Sequence, residues 1–130
     1  MLQRATHATL SVLAARLGNL GLTSSEINVL ANLADGRPRV IATLCADVGS
    51  KPSTLTSVLD RLERRELITR GPGYGDRRAV SIELTSSGRA TAAKIREVIR
   101  EIEERAIWNL PDDVVAGART ILDALAEQAR

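Results

Sequence analysis

The sequence predicts a mainly α-helical fold with one small β-hairpin. Three observations predict it. Apolar residues recur at helical spacing through most of the 130 residues, and the period turns to alternation only around residues 67–84. Aromatic residues are also nearly absent: there is no Phe, one Trp (Trp108) and one Tyr (Tyr74). Leu, Ile, Val and Ala must therefore fill the core, which suits helices packing aliphatic stripes.

Each element follows from local pattern. Residues 3–19 form a helix, with Ala5, Ala8, Val12, Leu13, Leu17 and Leu20 near helical spacing and Gly18 and Gly21 closing it. Thr23 caps the next helix, and Glu26, three residues on, reaches back to the Thr23 N–H. Leu22 and Ile27 occupy the hydrophobic-staple positions. This helix runs from about 24 to 34 with Ile27, Leu30, Ala31 and Ala34 inward, and stops at Asp35-Gly36. Arg37-Pro38-Arg39 reads as a connection. A short helix follows over 40–48, with Ile41, Leu44, Cys45 and Val48 on one side, and Gly49 ends it. Ser50-Lys51-Pro52-Ser53 turns into a helix over about 53–65, whose Leu55, Val58, Leu59 and Leu62 fall at i, i+3, i+4 and i+7.

Residues 67–70 and 79–84 alternate and read as strands. Between them, residues 71–78 hold three glycines and a proline, the mark of a long hairpin tip. Thr85-Ser86-Ser87 opens a long helix to about 108, with Ile95, Val98, Ile99, Ile102 and Ala106 inward. Pro111-Asp112-Asp113 starts the last helix, where first-turn carboxylates suit the helix dipole. Its apolar set is Val114, Val115, Ala118, Ile121, Leu122 and Leu125.

Composition excludes several classes. Hydrophobic residues at 44% and charged residues at 26% describe a globular chain, not a disordered one. A lone cysteine, Cys45, forms no internal disulfide, and with the single His7 it makes a metal site unexpected. No apolar run approaches a membrane span, and the first residues lack a signal-peptide core, so a cytoplasmic location is expected. No carboxylate pair, nucleophile beside a base or phosphate-cradling loop stands out, so neither an enzyme nor a cofactor is expected. Net charge is +2, but residues 51–78 carry seven basic side chains against four acidic ones, and this middle segment is the candidate surface for a polyanion.

Two helices joined by a Gly-containing turn and followed by a hairpin make a winged helix-turn-helix. A helix fits the major groove of duplex DNA, and polar residues near its N-terminus reach base edges and phosphates. Lys51, Ser53, Thr54, Thr56 and Ser57 lie there, with Arg61 one turn further on. Arg77 and Arg78 sit on the hairpin tip, placed for a minor groove. Taken singly, a hydroxyl at a helix start is more often a cap, and a loop Arg pair is more often only solvated. Their fall on the two recognition elements together favours DNA over a winged-helix module that only dimerises or docks a protein.

The chain resembles the MarR family of bacterial winged-helix regulators. The resemblance rests on Leu22-Thr-Ser-Ser-Glu26, on Ser53-Thr-Leu-Thr-Ser-Val-Leu-Asp-Arg-Leu-Glu63, and above all on Asp76-Arg-Arg-Ala-Val-Ser-Ile-Glu-Leu-Thr-Ser-Ser-Gly88. The last stretch matches the family's wing signature, Asp-x-Arg followed, after five intervening residues, by Leu-Thr-x-x-Gly. The resemblance implies a homodimer, with residues 22–85 forming the DNA-binding winged helix and residues 1–21 and 86–130 the dimerisation helices of one domain. It implies that Asp76 orients the wing arginines and that Arg78 holds the signature Arg position, Arg77 filling the variable position between them. It also implies repression relieved by a small phenolic or other lipophilic effector, or by thiol oxidation.

Two departures from the family pattern carry expectations. Glu66 stands where the family often has Gly, so either backbone strain at Glu66 or a differently closed helix end is expected. The chain is short ahead of residue 22, so a reduced first helix, a smaller share of the dimer interface and an altered ligand pocket are expected too. Among single residues, Cys45 reads as a small packed hydrophobe rather than a redox sensor. His7 reads as surface, and Trp108 as a packing or dimer-core residue. Glu97, Glu101, Glu103 and Glu104 beside Lys94, Arg96, Arg100 and Arg105 read as a salt-bridged helix face.

Overall fold

Helix α1 spans Leu2–Leu17 and runs into a 3-10 turn at Gly18–Leu20. After it come α2 (Ser24–Leu33), β1 (Arg39–Val40), α3 (Ile41–Val48) and α4 (Pro52–Arg64). The chain continues with β2 (Ile68–Pro72), β3 (Val80–Leu84), α5 (Ser86–Ile107) and α6 (Asp112–Glu127). The structure is a computed structural model that describes residues 1–73 and 79–128. The fold is mainly helical with a small antiparallel sheet, and its order of elements is that of a winged helix-turn-helix. No helix among the described residues is long and apolar enough to cross a membrane.

The caps form where the sequence places them. The Thr23 Oγ1 accepts from the Glu26 N–H at 3.2 Å, and the Thr23 N–H donates to Glu26 Oε2 at 3.3 Å, a complete capping box. Gly49 closes α3 at φ 64°, with its N–H on the Ala46 carbonyl and the Ser50 N–H on the Cys45 carbonyl. On α4 the whole stripe Leu55, Val58, Leu59 and Leu62 is buried. These residues join Leu30, Leu33, Leu44, Ile68, Ile82 and Ile95 in one aliphatic core. Full burial of each Leu or Ile stabilises the fold by about 1.5–3 kcal/mol.

Four differences from the sequence pattern have physical causes. A third strand, β1, lies where a connection and a helix start are expected. Its two residues carry no readable period and exist only by pairing, Arg39 with Ile82 and Val40 with Ser81, in a sheet ordered β1-β3-β2. In α2, Val29 and Leu33 are fully inside while Ala31 and Ala34 are half-buried. This helix packs against α3, α4, α5 and β3, so its buried arc is wider than one stripe. In α5 the small residues Gly88 and Ala92 are buried and Ala106 is exposed, because the helix outruns the core at its C-terminal end. Finally, α1 has sixteen residues and only Leu17 of it is buried, so most of its apolar spacing meets no core within the chain.

Helix α6 has no buried residue at all. Val114, Ile121, Leu122 and Leu125 are exposed, as are Ile107, Trp108 and Leu110 before them and Leu2, Leu10 and Val12 on α1. The apolar faces of both terminal helices are thus uncovered in the single chain.

Candidate nucleic-acid interface

The sequence-predicted residues of α4 share its outer side. Ser53, Thr54, Thr56 and Ser57 are all exposed, opposite the buried Leu55–Leu62 stripe. None of them caps the helix: the N-cap is Lys51, which makes no side-chain cap bond, and Pro52 occupies the first turn. Pro52 has no N–H, so the Ser53 and Thr54 amides are the orphan donors of that turn, at the positive end of the helix dipole. The Thr56 hydroxyl donates to the Pro52 carbonyl at 2.8 Å and the Ser57 hydroxyl to the Ser53 carbonyl at 3.4 Å, which leaves their oxygens free to accept.

The basic residues divide into two groups. Lys51 and Arg64 are exposed, and their side chains have no hydrogen-bond or ion-pair partner among the described residues. Arg64 lies seven residues beyond Ser57, on the same outer side of α4. The sequence pattern also sets Arg64 on the face opposite the apolar stripe, and helical spacing from Ser57 is the signal that brings it into the site.

The other arginines are committed. Arg61 Nε donates to Glu26 Oε1 at 2.8 Å, and Arg65 Nη1 stands 3.9 Å from Glu26 Oε2. Arg65 also donates to the carbonyls of Leu20 (2.7 Å) and Gly21 (2.9 Å). Arg70, on β2, donates to Asp60 Oδ1 at 2.7 Å and so ties the hairpin to α4. Part of the positive charge of the middle segment therefore holds the fold together. Arg61 in particular is directed at α2 instead of standing free like Arg64.

The hairpin itself forms as an antiparallel pair, from Ile68 opposite Leu84 to Pro72 opposite Val80. The Gly73 N–H donates to the Ala79 carbonyl at 2.7 Å as the strands approach the tip. Asp76, Arg77 and Arg78, the three candidate residues of that tip, lie outside the described residues.

Glu66 adopts φ 56°, so the expectation of backbone strain holds. The helix end is nonetheless closed in the usual way for such a turn. The Glu66 N–H donates to the Glu63 carbonyl (2.9 Å), the Leu67 N–H to the Leu62 carbonyl (3.0 Å), and Leu62 and Leu67 are both buried. The Thr85 Oγ1 accepts from the Gly88 N–H at 2.9 Å, and Gly88 packs so closely that a Cβ there would lie 1.9 Å from the Leu67 carbonyl oxygen. Leu84, Thr85 and Gly88 of the wing signature thus form a lock on the turn between α4 and the hairpin.

A second concave surface lies between α1, α2 and α5. This cleft of about 460 Å³ is walled by Leu10, Leu13, Leu22, Ile27 and Ile99, with Ser24, Ser25 and Asn28 along one side. Of the single residues, Cys45 is half-buried against the core as a small packed side chain, His7 is exposed, and Trp108 is 80% exposed. On α5, Arg100 pairs with Glu97 and Glu104, and Glu101 pairs across to Arg16, so that face is salt-bridged.

The family model for MarR matches residues 22–80, the span from the α2 cap to the start of β3. The chain is 35% identical to the HTH-type transcriptional repressor NicR of Pseudomonas putida over 89 residues, which is 68% of this chain and 56% of NicR. Over that span the chain is similar to the MarR family. The HTH-type transcriptional repressor MdtR of Bacillus subtilis is 28% identical over 84% of this chain and 70% of its own. The crystal structure of CouR from Rhodococcus jostii, bound to p-coumaroyl-CoA, superposes with a TM-score of 0.80 at 25% identity, covering 96% of this chain and 88% of that one. The match to NicR takes in little more than half of that repressor's length.

Proposed function

We propose that this protein is a sequence-specific transcriptional regulator of double-stranded DNA, a repressor rather than an enzyme, working in the cytoplasm as a homodimer on a pseudo-palindromic operator. The observation that carries the reading is the outer side of α4. Four exposed hydroxyl residues, two orphan amides and the unpaired Lys51 and Arg64 share one uncapped helix. Short hydroxyl side chains let the helix approach base edges, while the amides and cations suit phosphates. Ser53, Thr54, Thr56 and Ser57 are the reading set, Lys51 and Arg64 the phosphate set. Arg77 and Arg78, oriented by Asp76, enter the flanking minor groove. The repressor names of NicR and MdtR support the reading.

Residues 22–85 serve as the DNA-binding part of one domain and the terminal helices as the pairing part. The uncovered apolar residues of α1 and α6 support this division, because a monomer rarely leaves so many large apolar side chains together in water. Two-fold symmetry then places the two recognition helices on half-sites about one helical turn apart. The cleft between α1, α2 and α5 is the site for a small lipophilic or phenolic effector, as its mostly apolar walls and volume suit such a molecule. CouR, which has the same fold, is bound to p-coumaroyl-CoA.

Selection of bound sites from a randomised duplex pool with the purified protein tests the reading. Enrichment of a pseudo-palindrome is expected. If nothing is enriched at low salt and Arg78→Ala binds no differently, the protein is an interaction or dimerisation module instead.

A further inference from the structure

We propose that Glu26 couples the cleft between α1, α2 and α5 to the recognition helix, with Arg61 and Arg65 acting as positioning residues for α4. The proposal rests on the DNA-binding reading above. It arises from one turn of helix that faces two ways. Leu22, Ser24, Ser25, Ile27 and Asn28 line the cleft. Glu26, in their midst, points away from it and is 4% exposed. Its carboxylate receives Arg61 Nε at 2.8 Å, stands 3.9 Å from Arg65, and accepts the Thr23 N–H at 3.3 Å. Arg65 in turn grips the Leu20 and Gly21 carbonyls, immediately before the cleft wall begins.

Residues 20–28 are therefore both the wall of the cleft and the anchor of the C-terminal half of α4. A buried carboxylate stripped of its cations is strongly destabilising, so a displaced Glu26 carries its arginines with it. Because Arg61 and Arg65 are on and just beyond α4, the helix shifts with the wall. The Arg70–Asp60 bond then passes the shift to the hairpin. A ligand in the cleft acts through this linkage to the extent that it binds the displaced arrangement better than the resting one. The interior face of α4 is thus the regulated one, and its outer face is the one that meets DNA.

The test uses a side chain in place of the unidentified ligand. Ala14, on α1, lines the cleft and is exposed, so Ala14→Phe puts a phenyl ring into it. Affinity for one selected duplex is measured for the wild type, Ala14→Phe, Arg61→Gln and the double variant, with thermal melts to establish that each is folded. Ala14→Phe is expected to weaken binding about tenfold in the wild-type background and less than about threefold beside Arg61→Gln. Arg61→Lys, which keeps the charge, restores most of the response. Arg65→Gln, which leaves Arg61 on Glu26, is a second variant and also blunts the response. The salt dependence of Arg61→Gln should match the wild type. The proposal is overturned if Ala14→Phe has no effect or costs the same factor in both backgrounds. It is equally overturned if Arg61→Gln lowers the salt slope by about one, the mark of a lost phosphate contact. Failure of the wild type to bind any duplex sinks the DNA-binding reading itself, a result plainly different from these.

Discussion

The Thr85 hydroxyl donates to the Glu66 carbonyl at 2.7 Å and pins the one non-glycine residue that has positive φ among the described residues. A left-handed conformation costs an L-residue about 1–2 kcal/mol, and glycine adopts it freely. The turn persists because the bonds from Glu66 and Leu67 back to α4, the Thr85 bond and the buried Leu62 and Leu67 side chains over-determine it. Glu66→Gly is therefore expected to stabilise the protein by roughly 0.5–1 kcal/mol, the relief of strain less the extra freedom gained by the unfolded chain. Urea denaturation of the two proteins measures it. A less stable glycine variant would show that the Glu66 side chain contributes more than its backbone costs.

Gly88→Ala should act in the opposite sense. The added Cβ would meet the Leu67 carbonyl oxygen at 1.9 Å, and that carbonyl is itself held by the Thr85 N–H at 3.1 Å. A loss of at least ~1–3 kcal/mol is expected. The damage should be local to the junction of α4 and the hairpin, visible in hydrogen exchange at Leu67 and Thr85. Wild-type stability in this variant would mean that the close approach is looser than described.

Much of this was legible in the sequence, and what was missed has a common cause. The capping box, the Gly49 closure and the α4 stripe are local, settled by residues within two turns of each other, while the strain at Glu66 follows from the glycine that the family often has there. Strand β1, the inward Val29 and Leu33, and the pairing of Arg61 and Arg65 with Glu26 depend on partners tens of residues away. No periodicity carries that information. On α4 the sequence placed the hydroxyl residues, yet it could not divide the arginines into those given to the fold and those left over.

The Asp35–Arg39 pair gives a pH dependence of known sign. The Arg39 guanidinium, helped by the Arg37 N–H, holds the Asp35 carboxyl below its usual 3.8. A depressed folded pKa means stability that is fully present above the unfolded value and lost as pH falls through the folded one. The pair is partly exposed, so Asp35→Asn should cost less than ~1 kcal/mol near neutrality. The difference from wild type should shrink below about pH 4 and vanish at lower pH. A constant difference across that range would remove the ionic contribution.

The two groups of arginines should separate in DNA binding. Arg64→Ala removes an unpaired surface cation, so the slope of log affinity against log salt should fall by about one, whatever the sequence of the duplex. Arg78→Ala should weaken binding by ~1–3 kcal/mol. Thr56→Ala should change which duplexes are preferred. A uniform loss on all sequences from Thr56→Ala would assign that residue to the backbone instead of the bases.

Ile121→Glu with Leu125→Glu examines the pairing surface. Both side chains are exposed and α6 has no fully buried residue, so the folded single chain loses little packing when they become charged. In a dimer joined through α6 the same carboxylates would be buried without partners, and burial of an unpaired charge is far costlier than the apolar contact it replaces. The variant is therefore expected to keep its helical content and elute as a monomer by light scattering. It should bind a two-half-site duplex more weakly than the wild type, because each half-site must then be held independently. A variant that remains dimeric with unchanged operator affinity would place the pairing surface elsewhere, with the exposed residues of α1 and the Trp108 corner next in line.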